Sequence, residues 1–360
     1  MITILLPDLC GGGAERVNID LAREFARAGH EAEFVLMQAR GELLAEAQAG
    51  FGVVNLACPR ARGLPRSLST YLNQRRPDAV LAAMWPLTVI APMARLAGYR
   101  GRVVVSEHNT LSVQYASWGR AHRAALRGSM AAGYRLAHAR IGVSSGVADD
   151  IAAISGLSRG QFDVIHNPVA ARSDPDASTL RDVDALWATQ PGARILTVGS
   201  MKAQKNHPLL LRAFAGLKDP EARLIFLGTG AGKAGLQELA TDLGVSDRVI
   251  FAGFHADPTP FYQTADLFVL SSDYEGFGNV IVEALACGTS VVSTDCPSGP
   301  AEILKNGKYG RLVPVRDAQS LADAMQAALE APHDPDLLKS RASDFAPAIA
   351  AKRYLELLCP

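Results

Sequence analysis

The segment SSDYEGFGNVIVEALACGTSVVSTD, residues 271–295, holds two carboxylates eight positions apart, Glu275 and Glu283, around Gly276 and Gly278. DLFVLSS reads as a strand, residues 273–278 as a turn, and residues 280–286 as a helix with Asn279 as its N-cap and Gly288 as its terminator. The amides at Gly278, Asn279 and Val280, with the helix dipole behind them, suit a pair of phosphates that the glycines let come close. Glu283 lies four residues after Asn279, on the same helix face and about 5–6 Å further along the axis, a fitting distance from a diphosphate to the ribose attached to it. Glu275, ahead of the amides, then faces whatever hangs from the other phosphate. Acid, amides, acid follow the order sugar, diphosphate, ribose, so the segment predicts a nucleotide-sugar site. Glutamates also cap helices or pair with surface arginines; the position after a strand, with glycines between, is what favours binding.

Three other places could carry chemistry. LCGGGAER sets Gly11, Gly12 and Gly13 between a strand and a helix, where their amides could approach an anion, but Arg16 stands where a dinucleotide fingerprint needs its last glycine. LGTGAGKAG imitates a Walker loop; its spacing before Gly232-Lys233 is one residue short, and Ala234 offers no hydroxyl to magnesium, which excludes ATP hydrolysis. SEHN places Glu107, His108 and Asn109 at the carboxyl end of a strand, a polar cluster where core is not expected, although His108 could also be an ordinary hydrogen-bonded histidine.

These residues need a scaffold that brings strand ends together. Short β-branched runs alternate with amphipathic stretches of helix length: ITILLPDL, AEFVLMQ, VVNLAC, DAVLAAM, RVVVSEHN, ARIGVSS and DVIHNPV, then RILTVGS, RLIFLGTG, RVIFAGF, DLFVLSS, TSVVSTD and GRLVPV. That rhythm predicts an α/β protein with two Rossmann-like, doubly wound parallel-sheet domains facing a cleft, residues 1–170 and 192–343. A stretch rich in Asp, Ser, Pro and Ala, residues 171–191, reads as a linker, and residues 344–360 as a helix crossing back to the first domain. At 360 residues and 48% hydrophobic, the chain can bury two cores. Five cysteines without a C-x-x-C pair fit a reducing cytoplasm. The N-terminus reads as a strand rather than a signal, and the longest uncharged run, residues 79–94, is shorter than the ~20 residues a bilayer requires.

The net charge is zero, but residues 1–175 hold 19 arginines against 14 acids, and every lysine lies beyond them. Residues 60–76 carry Arg60, Arg62, Arg66, Arg75 and Arg76 without an acid. Further on, Tyr115, Trp118 and Tyr134 interleave with Arg120, Arg123 and Arg127, a composition suited to a helix lying on an anionic membrane face. Peripheral attachment to the cytoplasmic face of the inner membrane is expected. Nucleic acid is the competing anion, but no recognition motif accompanies the arginines, so no nucleic-acid partner is expected.

EGFGNVIVEALACGTSVVSTD resembles the E-x7-E segment of retaining GT-B glycosyltransferases of family 4. GGGAERVNIDLAREFARAGHE is similar to their N-terminal glycine loop and helix, and VGSMKAQKNHPLLLRAFA to their basic donor-phosphate strand and loop; FAGF and PSGPAEIL also match in order and spacing. The resemblance covers nearly the whole chain. It implies that Glu283 accepts from the donor ribose, that Glu275 accepts from the donor sugar, that the amides of Phe277, Gly278 and Asn279 hold the sugar or diphosphate, and that Lys205 neutralises the phosphates. It likewise places Phe254 in the base pocket, Gly12 and Gly13 against the phosphates or acceptor, and His108 near the reacting sugar. One position departs: Ser200 stands where the family usually has a phosphate-binding arginine, and Lys202, two residues on, is the candidate substitute.

D-x-D triplets at residues 174–176, 182–184 and 334–336 lie away from the strand ends near the glycine loops, so no metal or other cofactor is expected; Lys205, Lys202 and the helix amides would replace the ion. The implied activity is retaining, metal-independent transfer from a nucleotide sugar, UDP-linked by family frequency, to a saccharide acceptor such as one on a polyprenyl diphosphate, in polysaccharide or glycan synthesis. The alternatives are a GT-B nucleotide-sugar epimerase and a non-catalytic nucleotide-sugar-binding subunit, the latter kept open by Ser200.

Overall fold

A computed structural model describes residues 1–10, 12–170, 174–187 and 192–360. They form two compact units, Met1–Ala170 with Phe345–Pro360, and Ala171–Asp344. In the first, β1 (Ile2–Leu6), β2 (Ala32–Leu36), β3 (Gly52–Asn55), β4 (Ala79–Ala83), β5 (Arg102–Glu107), β6 (Ala139–Gly142) and β7 (Asp163–Val164) make one parallel sheet in the order β3-β2-β1-β4-β5-β6-β7. In the second, β8 (Arg194–Val198), β9 (Arg223–Leu227), β10 (Val249–Gly253), β11 (Leu267–Leu270), β12 (Ser290–Thr294) and β13 (Arg311–Val313) are ordered β10-β9-β8-β11-β12-β13. The central strands ITILL, AEFVL and AVLAA are buried along their whole length, as a parallel sheet covered on both faces requires, while edge strand β3 has its first and last residues exposed.

Both strand orders reverse once, between β1 and β4 and between β8 and β11. Such reversals open a crevice outside the carboxyl ends of the strands, where ligands bind in open α/β sheets. The loops after β8 and β11 are those that carry Lys205 and Glu275.

The terminal helix Pro347–Leu358 contributes Ala350, Ala351, Tyr354 and Leu358 to the core of the first unit. Polar contacts fasten it there: Arg102 Nε donates to the Leu357 carbonyl at 2.9 Å, and the Ser106 and Tyr354 hydroxyls meet at 2.9 Å.

The stretch read as a linker departs from that reading where it is described; residues 171–173 and 188–191 lie outside the described residues. Ala177–Leu186 is a helix of the second unit, N-capped by Asp176, whose carboxylate accepts from the Thr179 amide at 2.8 Å. Val183 and Trp187 are buried, and Trp187 Nε1 donates to Thr264 Oγ1 at 2.9 Å. The spacing of Leu180, Val183 and Trp187 is that of one helix face, a signal the surrounding Asp and Ser obscured.

The helix Arg120–Leu136 is exposed over its first six residues, Arg123 among them, and Arg127 is exposed as well. Its later part is core: Leu126, Met130 and Tyr134 are buried. Tyr134 is therefore no membrane-facing aromatic. Trp118 and Tyr115 pack on one another and on Trp85, with ring centroids 4.2–5.7 Å apart. Among the described residues no helix is long and apolar enough to cross a membrane.

Candidate active site

In the second unit the extensions of β8, β9 and β10 are lashed together by backbone. Gly199 N donates to the Leu227 carbonyl at 2.9 Å, Met201 N to Thr229 at 2.9 Å, Gly232 N to Met201 at 3.0 Å and Gly228 N to Gly253 at 2.7 Å. A Cβ on Gly228 would strike the Gly199 carbonyl, and one on Gly230 would lie 2.7 Å from the Met201 amide nitrogen. Gly228 and Gly230 of the Walker-like loop are thus required by close backbone approach.

This platform supports Lys205. Gly199 lies beneath its side chain, where a Cβ would stand 3.2 Å from Lys205 Cε, and the Lys205 carbonyl accepts from Ser271 Oγ at 2.8 Å. Lys205 Nζ then reaches Glu275 Oε1 at 2.6 Å, across 70 residues of sequence. Ser272 Oγ donates to the same oxygen at 2.5 Å. The pair is largely enclosed, its side chains 13% and 9% exposed. The Glu275 backbone is fixed on both sides, its amide donating to Pro297 at 2.9 Å and its carbonyl accepting from Ser298 at 3.1 Å.

A second polar layer ties the two loops. Asn206 Nδ2 donates to Asp273 Oδ1 at 2.9 Å, Arg316 to Asp273 Oδ2 at 2.8 Å, and Gln204 Nε2 to the Tyr274 carbonyl at 2.9 Å. Ser272, Asn206, Asp273 and Arg316 escaped the sequence reading. Ser272 had a local signal, three residues before Glu275 at a strand end, whereas Arg316 had none.

Glu283 sits half-buried on the helix Asn279–Ala286, and Tyr262 Oη donates to its Oε2 at 2.9 Å. Tyr262 is itself buried and presents the carboxylate in one orientation. The expected N-cap is corrected by one residue: Asn279 is the first helical residue, and Gly278 caps with φ 100° and no side-chain hydrogen bond. That left-handed turn suits a glycine. Phe277 is buried, its carbonyl so close to Gly299 that a Cβ there would collide with it. Ser200 and Lys202 are exposed after β8, and Phe254, after β10, is 53% exposed.

The first unit carries the remaining candidates. Gly12 is the N-cap of the helix Gly13–Arg27. Glu15 folds back against it, so that a Cβ on Gly12 would collide with the Glu15 carboxylate, and the helix start already neighbours an acid of the chain. Gly11 lies outside the described residues. His108, just after β5, is half-buried, with Nε2 3.3 Å from Ser106 Oγ; burial pushes it down to about 4, so the ring is neutral at pH 7. Glu107 points the other way, into the core. Its Oε1 accepts from Thr88 Oγ1 at 2.5 Å and Tyr134 Oη at 2.8 Å, and its Oε2 from the Trp85 amide at 3.2 Å; burial raises it to about 7. It joins three elements beneath the loop that holds His108.

Four of the six D-x-D aspartates have local partners. Asp176 and Asp334 cap helices, Asp174 accepts from Gln263 at 3.0 Å, and Asp184 pairs with Arg194 at 2.5 Å.

HepE of Anabaena, solved in complex with UDP-glucose, matches this structure with a TM-score of 0.84 at 23% identity, covering 99% of both chains. The two parallel-sheet units define a GT-B fold. The Glycosyltransferase Family 4 model matches residues 11–172 and the Glycosyl transferases group 1 model residues 188–345, and the chain belongs to this family of glycosyltransferases. It is 31% identical over 241 residues to the N-acetylgalactosamine-N,N'-diacetylbacillosaminyl-diphospho-undecaprenol 4-alpha-N-acetylgalactosaminyltransferase of Campylobacter jejuni, spanning 67% of this chain and 64% of that protein. It is 42% identical over 132 residues to the lipopolysaccharide core biosynthesis glycosyltransferase LpsE of Rhizobium meliloti, spanning 37% of this chain and 38% of that one. Both matches span less than two thirds of the relative's length.

Proposed function

We propose that this chain moves a sugar from a UDP-linked donor to a saccharide acceptor carried on a polyprenyl diphosphate, with retention and without a metal ion, in cell-surface polysaccharide or glycan synthesis. The carrying observation is the 2.6 Å approach of Lys205 and Glu275 at the strand-order reversal of the second sheet, with Glu283 on the next helix. A diphosphate there meets Lys205 and the start of the helix Asn279–Ala286, its ribose meets Glu283, and its sugar meets Glu275. The UDP reading is supported by the ligand of HepE, and the lipid-diphosphate acceptor by the name of the Campylobacter relative.

In the proposed reaction the acceptor oxygen bonds to the anomeric carbon as the bond to the leaving phosphate breaks, and the acceptor proton passes to a phosphate oxygen on the same face. Charge grows on the diphosphate, where Lys205 and the helix amides stabilise it. Metal independence is supported by Lys205 and by the local partners that Asp174, Asp176, Asp184 and Asp334 already hold.

The test is UDP release from UDP-glucose, UDP-galactose and their N-acetylamino forms in EDTA, with and without a polyprenyl-diphosphate-linked saccharide. Acceptor-dependent release is expected; interconversion of the sugar nucleotides without acceptor would favour an epimerase. The exposed Arg120, Arg123 and Arg127 would bring the enzyme to the anionic leaflet carrying that acceptor. At about 1 kcal/mol per basic residue near such a surface, changing all three to Glu should lower partitioning onto anionic vesicles by about 10²-fold, and unchanged partitioning would remove the membrane role.

A further inference from the structure

Lys205 and Glu275 are each other's partner, and a donor has to separate them. Their enclosure makes separation costly, because removing one member of a buried pair leaves the other charge poorly compensated. The cost depends on what arrives. A nucleoside diphosphate draws Lys205 onto its phosphates and brings nothing for Glu275, whose Oε1 keeps the hydroxyl of Ser272 but loses the ammonium. A sugar nucleotide brings phosphate oxygens for Lys205 and sugar hydroxyls for Glu275 in one step. Both members are then re-partnered.

We propose that the Lys205–Glu275 pair discriminates the intact sugar nucleotide from the nucleoside diphosphate that remains after transfer. The inference rests on the donor-site reading above and adds a second task for Glu275. Besides orienting the sugar, it holds Lys205 back from any diphosphate that lacks one, and once the sugar has left it reclaims Lys205 and expels the product. The surrounding polar layer suits this task. Asn206 and Arg316 both fasten Asp273, two residues before Glu275, and the Lys205 chain lies over Gly199, where no Cβ stands in its way, while its carbonyl stays anchored on Ser271.

The experiment is titration of the full chain with UDP, GDP and ADP by calorimetry in EDTA, comparing wild type with Glu275→Gln, Ser272→Ala and Glu283→Ala. Gln can still accept from Ser272 but no longer neutralises Lys205, so Glu275→Gln should bind the preferred nucleotide about ten-fold more tightly or better while losing sugar transfer. Ser272→Ala removes one competing donor from Glu275, so the carboxylate should hold Lys205 harder and the same nucleotide should bind about three-fold more weakly. The Ser272 variant keeps the test decisive even if Glu275→Gln does not fold. Unchanged or weaker nucleotide binding by a folded Glu275→Gln, or unchanged or tighter binding by Ser272→Ala, overturns the discrimination while wild-type binding and its loss in Glu283→Ala leave the donor site standing. Absence of binding by the wild type to all three nucleotides removes the donor-site reading and this inference with it.

Discussion

Lys205→Met is expected to lower kcat by about 10²–10³-fold, the usual cost of removing one preorganised group aimed at a developing negative charge. Methionine keeps the bulk of the chain over Gly199 and removes only the ammonium. The same change should destabilise the second unit, because Glu275 stays enclosed without its cation. Breaking such a pair from one side costs about 3–5 kcal/mol, which in a unit of this size lowers its melting temperature by about 10 °C. The two effects separate in the double variant Lys205→Met/Glu275→Gln. Removing both charges should restore most of the melting temperature and none of the activity. Double-variant stability no better than that of Lys205→Met would show that the 2.6 Å contact carries little energy.

Acidification should weaken the second unit before the first. His207 is buried against Phe226, and burial first, then the nearby Lys205 charge, lowers it to about 4 from the ordinary 6.5. The unfolded chain therefore binds more protons between pH 6.5 and pH 4, and stability falls as pH drops through that window, by about 3 kcal/mol for a group moved that far. Asp176 is held low as well, but its loss comes only as pH falls through the range below 3.8. In the first unit the shifts oppose each other. His108, also near 4, loses stability over the same window, whereas Glu107, raised to about 7, gains it as pH falls from 7 to 4.5 because its folded form takes the proton first. Melting followed by circular dichroism at pH 7 and pH 4.5 should show the second unit's transition moving down more than the first's, and His207→Gln should remove most of that excess. Equal movement of both transitions would contradict the assignment.

Much of the scaffold was legible because parallel strands announce themselves locally. Runs such as ITILL and RLIFL are short and mostly apolar, and each lies where its sequence suggests. The E-x7-E segment was legible for the same reason, since strand, turn and helix are all encoded within 25 residues. What stayed hidden depends on distance in sequence. By its residues alone Lys205 reads as a surface lysine, and only the family resemblance marked it for the phosphates; its pairing with Glu275, 70 residues on, needs the fold. Tyr262 fixes Glu283 from a helix 21 residues upstream, and Arg316 reaches Asp273 over 43. Tyr134 misled in the opposite sense. Its spacing among arginines suggested a membrane-facing aromatic, but a hydrogen bond to Glu107, 27 residues earlier, belongs to the core.

The central claim is that the second unit holds a nucleotide through Glu283 and Lys205 without a metal. Calorimetric titration of the wild type with UDP in EDTA, beside Glu283→Ala, tests it most directly. Saturable binding is expected in the wild type, weakened by at least about ten-fold in the variant, because the ribose hydroxyls lose a charged acceptor that Tyr262 orients. UDP binding of equal strength in both proteins, or binding that appears only when a divalent cation is restored, would contradict it.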